Sequence, residues 1–98
     1  MAWADILPQV KNNLNITLNV RDDYLLFLIE GVVSELQEIQ GLKLDENNFS
    51  DKMFVADYTA WRYRSRDKNS GSNMENMPQN LYWRLKNLML KSKVDENV

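Results

Sequence analysis

Neither cysteine nor histidine occurs anywhere in the 98 residues. Without a thiol there is no disulfide, no Cys-ligated zinc and no thiolate nucleophile. Without an imidazole there is no serine triad, no Cys–His dyad and no His-containing zinc site, and the side chain most used for proton transfer near neutral pH is missing. Glycine is limited to three residues and proline to two, and no Gly-rich phosphate loop is present. No run of 18 or more apolar residues exists. The opening Met1-Ala2-Trp3-Ala4-Asp5 has neither a basic n-region nor an apolar h-region, so the expectation is an intracellular protein with no membrane partner.

What the chain does contain is the mixture of a folded domain: 44% hydrophobic and 27% charged residues. Its length allows one domain, and surface scaling gives burial of about 65% of the unfolded area, enough for one modest core. The net charge of −2 and pI near 5.0 leave no global field to hold the chain on DNA or on an anionic membrane.

Leu7, Val10 and Leu14 are spaced as one face of a short helix, with Pro8 tolerable only in its first turn. Asn15 to Val20 alternates Ile16, Leu18 and Val20 with polar residues; one strand has nothing to pair with, so the segment reads as a turn carrying apolar plugs. Asp22 and Asp23 then open the longest helix, where first-turn carboxylates oppose the dipole. Leu25, Leu28, Ile29, Val32, Leu36 and Ile39 follow at helical spacing, with Gly41 as terminator. Leu42 to Asn48 reads as a polar connection and Ser50 as the next N-cap, before a stripe of Phe54, Tyr58 and Trp61 helped by Val55. Asp67 to Asn76, with Ser70, Gly71, Ser72 and three Asn, reads as an exposed loop. Pro78 starts a further helix with Leu81, Leu85 and Leu88 on one face and Tyr82 and Met89 beside them. The expectation is an all-α single domain, a small bundle of three to four helices with short connections favouring antiparallel neighbours. Its core spans about 7–91, and 92–98 form a flexible charged tail.

The Asp22 helix carries more apolar surface than one stripe needs, because Tyr24, Leu26, Phe27 and Val33 lie outside its narrow face. Such a helix is either central to its own bundle or partly buried against another chain. Gly31 within it costs about 1 kcal/mol relative to Ala. Close approach of a neighbouring helix in the same domain explains it; close approach of another subunit is the alternative.

Charge is uneven along the chain. Residues 1–60 hold ten acids and four bases, whereas 61–98 hold eight bases and four acids. A subunit so divided can associate head to tail, although a mixed solvated surface gives the same count. The run Trp61-Arg62-Tyr63-Arg64-Ser65-Arg66-Asp67-Lys68 interleaves cations with aromatics in the manner of a nucleic-acid contact. On a helix, however, only Arg62/Arg66 and Arg64/Lys68 align, Trp61 continues the core stripe, and cations near a helix C-terminus complement the dipole. Asp45-Glu46-Asn47-Asn48-Phe49 begins like a calcium loop but puts Ser50 at the required Gly and Ala56 at the required Glu. Asp22 and Asp23 do not face one another on a helix, and Glu35 and Glu38 sit on the polar side of theirs. No catalytic constellation, metal site or cofactor site emerges.

Leu7-Pro8-Gln9-Val10-Lys11-Asn12-Asn13-Leu14-Asn15-Ile16 resembles the L-x-x-V-K-x-x-L-x-I opening of the small head–tail connector proteins of tailed bacteriophages, also called head completion or adaptor proteins. Asp22-Asp23-Tyr24-Leu25 with Leu28-Ile29 is similar to the acidic helix start that follows in that family. Tyr63-Arg64-Ser65-Arg66, preceded by Met53, Val55, Asp57, Ala60 and Trp61, resembles its aromatic helix ending in Tyr-x-x-Arg, and Pro78 with Leu81 to Leu88 its last helix. The likeness runs in order over about 7–91. It departs where relatives carry small residues, for here bulky Val32 and Val33 follow Gly31.

The resemblance implies a non-enzymatic subunit of a ring beneath the portal vertex, made in the host cytoplasm and resident at the head–tail junction of the virion, of Gram-positive phage or prophage type. Its partners would be further copies, the portal protein and a stopper or tail-joining protein, with DNA only passing through the channel and no cofactor. Phe27, Gly31, Arg62, Arg64, Arg66, Lys91 and Lys93 are the expected subunit or portal contacts. The alternatives are a small DNA-binding regulator using Trp61 to Lys68, or an antitoxin-like protein-interaction module using the wide apolar helix.

Overall fold

The computed structural model describes the backbone of residues 2–67 and 77–96 and the side chains of 3–65 and 77–91. A 3-10 turn (Ala2–Ile6) leads into α1 (Leu7–Leu14), followed by α2 (Asp22–Glu38), α3 (Phe49–Asp67) and α4 (Gln79–Glu96). No strand occurs among the described residues, and the architecture is the all-α bundle expected. The loop read over 67–76 lies outside the described residues except for Asp67, which ends α3. At the other end, α4 carries its backbone through Glu96, into the segment read as a tail.

The helices begin and end for local reasons. Pro8 stands in the first turn of α1, where its missing N–H costs nothing. Asn15 closes α1 at φ 60°, a left-handed position that Asn tolerates, while the Ile16 N–H donates to the Lys11 carbonyl. Gly41, at φ +76°, follows the end of α2 and lets the Leu42 N–H donate back to Leu36. Asn48, rather than Ser50, caps α3: its Oδ1 accepts from the Asp51 N–H at 3.0 Å. The Asp51 carboxylate, itself buried, accepts from the Asp45 N–H at 2.9 Å and so pins the incoming connection to the helix it precedes.

α3 is the centre of the bundle, and neither the sequence's most apolar helix nor its longest hydrophobic stripe is. Phe54, Val55, Ala56, Tyr58, Thr59, Ala60, Trp61, Tyr63 and Ser65 are all buried, covering nearly its whole circumference. Small residues (Ala56, Thr59, Ala60, Ser65) let α1, α2 and the 3-10 turn come close, so α3 is buried without being conspicuously hydrophobic. It is also longer than α2, 19 residues against 17, which corrects the expectation that the Asp22 helix is the longest.

Against α3, α2 lays Leu25, Ile29, Val32, Val33 and Leu36, while α4 contributes Leu81 and Leu85 with Leu88 partly buried. The N-terminal turn adds Trp3 and Ile6, so the core starts at Trp3 rather than at residue 7. Leu42, from the connection read as polar, is buried as well.

Three apolar residues expected inside face solvent. Leu18 and Val20 are 70% and 83% exposed, so only Ile16 of the supposed plugs packs on the core. Ile39, at 78%, is the C-cap of α2, still in helical geometry with its N–H donating to the Glu35 carbonyl, but at the end of the helix, where the side chain is left uncovered. Gly31 is also corrected: a Cβ built there meets nothing within 4 Å, so no helix of this chain approaches it. Gly31→Ala is therefore expected to raise stability by about 1 kcal/mol, since the change adds helix propensity without a clash. Denaturant titration showing a lower midpoint for the variant would contradict this.

Candidate functional site

The cations expected to reach outward are mostly engaged inside the chain. Arg62 Nη1 donates to Glu35 Oε1 and Oε2 at 2.8 and 3.1 Å, joining α3 to the later part of α2. Tyr63 Oη accepts from Arg21 Nη1 at 2.6 Å and its ring packs against Tyr24, at the start of α2. Adjacent residues of α3 thus reach opposite ends of α2. Arg64 donates to the Asn13 carbonyl oxygen and side-chain Oδ1. Asn13 Nδ2 in turn donates to Asp57 Oδ1 at 3.0 Å, and Arg84 of α4 closes the set on Asp57 Oδ2 at 2.7 Å. Asp22 holds Lys11 at 2.8 Å.

These pairs join the acidic and basic halves of the sequence within one molecule, so the division seen along the chain is partly cancelled on folding. They also engage part of the Trp61 to Lys68 run. Trp61 and Tyr63 are buried, and Arg62 and Arg64 have intramolecular partners. The Arg66 and Lys93 side chains lie outside the described residues; Lys91 is exposed on α4.

Tyr58, Glu35 and Arg62 form a cluster of ionisable groups between α2 and α3, with Tyr58 buried and the other two half-buried. Burial pushes the Tyr58 hydroxyl above the ordinary phenol value, the Glu35 carboxylate adds to this, and Arg62 opposes it. For Arg62, burial disfavours the cation, yet the Glu35 hydrogen bonds and charge, with Tyr58, outweigh it and hold the pKa above the usual guanidinium range. Tyr58 is fully buried, and its Oη has no hydrogen-bond partner. A phenol closed to solvent and held protonated does not act as a base at neutral pH.

The sign of the linkage gives a test. With Tyr58's folded pKa above its unfolded one, its contribution is fully present below about pH 10 and declines as pH rises beyond that. Tyr58→Phe should flatten the alkaline limb of the Tm profile above about pH 10; an unchanged slope there would count against the assignment.

Among the described residues no group of acidic side chains is placed to hold a metal ion, and no helix is long and apolar enough to cross a membrane. A shallow groove of about 270 Å³ lies between the N-terminal turn and the start of α3, lined by Asp5, Ile6, Gln9, Phe49, Lys52 and Met53 among others.

The surface itself carries the clearest signal. Opposite its buried stripe, α2 presents Asp23, Phe27, Glu30, Gly31, Ser34 and Glu38 on one outward face, and Phe27 is 74% exposed. Phe27 and Gly31, both expected contact residues, are brought together there, one turn apart. α4 similarly presents Trp83, Lys86, Asn87 and Leu90 opposite Leu81, Leu85 and Leu88, with Trp83 56% and Leu90 63% exposed. Trp83 and Leu90 were missed from the sequence, although their seven-residue spacing places a second apolar stripe on a helix that already has one.

Comparison with known protein families, curated proteins and solved structures finds no match for this chain.

Proposed function

We propose that this chain is a structural subunit of a phage head–tail connector, assembling beneath the portal and offering a docking surface to a stopper or tail-joining protein, without catalysis or cofactor. The observation that carries the reading is the outward face of α2. An exposed phenylalanine beside an open glycine, among acids with no partner in the described residues, suits contact with another protein surface. The ordered likeness of residues 7–91 to connector proteins supplies the particular assembly. On this reading the subunit is made in the host cytoplasm and ends at the head–tail junction, and copies meet as a ring on the portal.

Of the expected contact residues, Phe27 and Gly31 are open on one face, whereas Arg62 and Arg64 also hold Glu35 and Asn13 within the chain. The test is to mix the full chain with purified portal rings and image the product. Added density below the portal is expected with the natural protein, and its loss with Phe27→Glu, a surface change that leaves the core untouched. Absence of binding, or normal infectious particles formed without the protein, overturns the reading.

A further inference from the structure

We propose that a second copy of this chain docks its α4 along the outward face of α2, through complementary charge and the seating of Trp83 beside Phe27 and Gly31. The described residues of α2 carry five carboxylates and no base. Two are engaged in the chain, Asp22 by Lys11 and Glu35 by Arg62, which leaves Asp23, Glu30 and Glu38 without a partner among the described residues. From Gln79 to Lys93, α4 carries four bases and no acid, of which Arg84 is engaged by Asp57. Lys86 sits over the Tyr82 ring and Lys91 is exposed. α2 thus carries an acidic surplus and α4, whose acids Asp95 and Glu96 stand at its very end, a basic one, in the same molecule, and α2 and α4 are each packed on α3 by their opposite faces.

The shapes also fit. Phe27 is the exposed apolar side chain of the acidic face, and Ser34 stands seven residues further on, the same separation, about 10 Å, as that of Trp83 and Leu90 on α4. Gly31 lies between the first two, and with no atom within 4 Å of a Cβ position it leaves a notch one side chain deep. The Trp83 indole is the large exposed side chain on the basic face that fills such a notch, with Phe27 as its edge contact. Lys86 and Lys91 then reach toward Glu30 and Glu38. Because two different faces meet, the contact is head to tail. It can be repeated from copy to copy and closes into a ring where the rotation permits.

The inference deepens the assembly reading above, but contact between copies is read without portal, so either can fail without the other. The cysteine-free sequence makes cross-linking clean. Full-length Ser34→Cys and Asn87→Cys variants, both at exposed positions of the two faces, are mixed and treated with a short bismaleimide. The 34–87 adduct is quantified against a mixture of Ser34→Cys with Thr17→Cys, an exposed position off both faces. The 34–87 adduct is expected to dominate and to fall with added salt. Lys86→Glu/Lys91→Glu, or Glu30→Lys/Glu38→Lys, built into both members should each lower it about tenfold. Combining an acid-reversed Ser34→Cys or Asn87→Cys partner with a base-reversed one restores it, since each then supplies the charge the other lost. A 34–87 yield no higher than the 34–17 control, a 34–34 adduct in excess of 34–87, or failure of the mixed reversals to recover the yield overturns the proposal.

Discussion

Phe54→Ala is expected to remove about 4 kcal/mol of stability. Phe54 is 1% exposed and packs its ring 5.7 Å from Tyr58, whose ring in turn meets Trp61 at 5.4 Å, so the cavity would open in the aromatic file of the central helix. A second consequence falls on α4. The Arg84 guanidinium lies 5.6 Å over the Phe54 ring while it holds Asp57, and truncation removes the surface that positions it. With total stabilities of small domains at about 5–15 kcal/mol, such a variant sits near its unfolding threshold. Urea titration should show a midpoint far below that of Trp83→Ala, which truncates an exposed side chain and should change stability by less than about 0.5 kcal/mol. Equal losses for the two variants would contradict the placement of Phe54.

Arg62→Glu is expected to cost about 3 kcal/mol, less than a fully buried pair would lose because the two side chains keep 32% and 28% exposure. The substitution does two things at once: it leaves Glu35 without its donor and sets a second carboxylate against it, beside a buried phenol. Two carboxylates in that space raise the folded-state pKa of at least one of them above its unfolded value. The loss relative to the natural protein is therefore expected to be smallest at acid pH and to grow as pH rises through the carboxylate range. Arg62→Met, which removes the cation without adding an anion, should lose less, and the exchange Glu35→Arg/Arg62→Glu should recover part of the loss. A double-mutant cycle at neutral pH measures the pairing directly. No coupling in that cycle would show that the contact does not contribute to stability.

The helix order and most of the core were legible because a buried helix face repeats every three or four residues. Leu25, Ile29, Val32 and Leu36, and Phe54, Tyr58 and Trp61, follow that repeat and are inside. What periodicity cannot weigh is how many neighbours a helix acquires. α2 is the more apolar helix, yet α3 is the central one, because Ala56, Thr59 and Ala60 score weakly as hydrophobes while admitting close contact. Leu18, Val20 and Ile39 were misplaced for a related reason: they lie at or beyond helix ends, where alternation or spacing no longer fixes a direction.

For the candidate site, Phe27, Gly31 and Lys91 could be found by looking for what a helix has in excess. The fate of Arg62 and Arg64 could not, because their partners Glu35 and Asn13 lie 27 and 51 positions away in the chain. Asn48 outranks Ser50 as a cap through the position of one turn, which sequence alone leaves open by a residue or two.

The unequal attachment of the helices also bears on how the molecule breathes. α1, α2 and the N-terminal turn all lean on α3 and share the core around Val10, Ile29 and Tyr58, whereas α4 is fastened chiefly by Leu81, Leu85 and the Arg84–Asp57 bridge. Among the described residues α4 thus shares fewer neighbours than α1 or α2, and its amides are expected to surrender their protons to deuterium at a lower opening cost. The helix that carries the basic face would then be the first of the longer ones to detach.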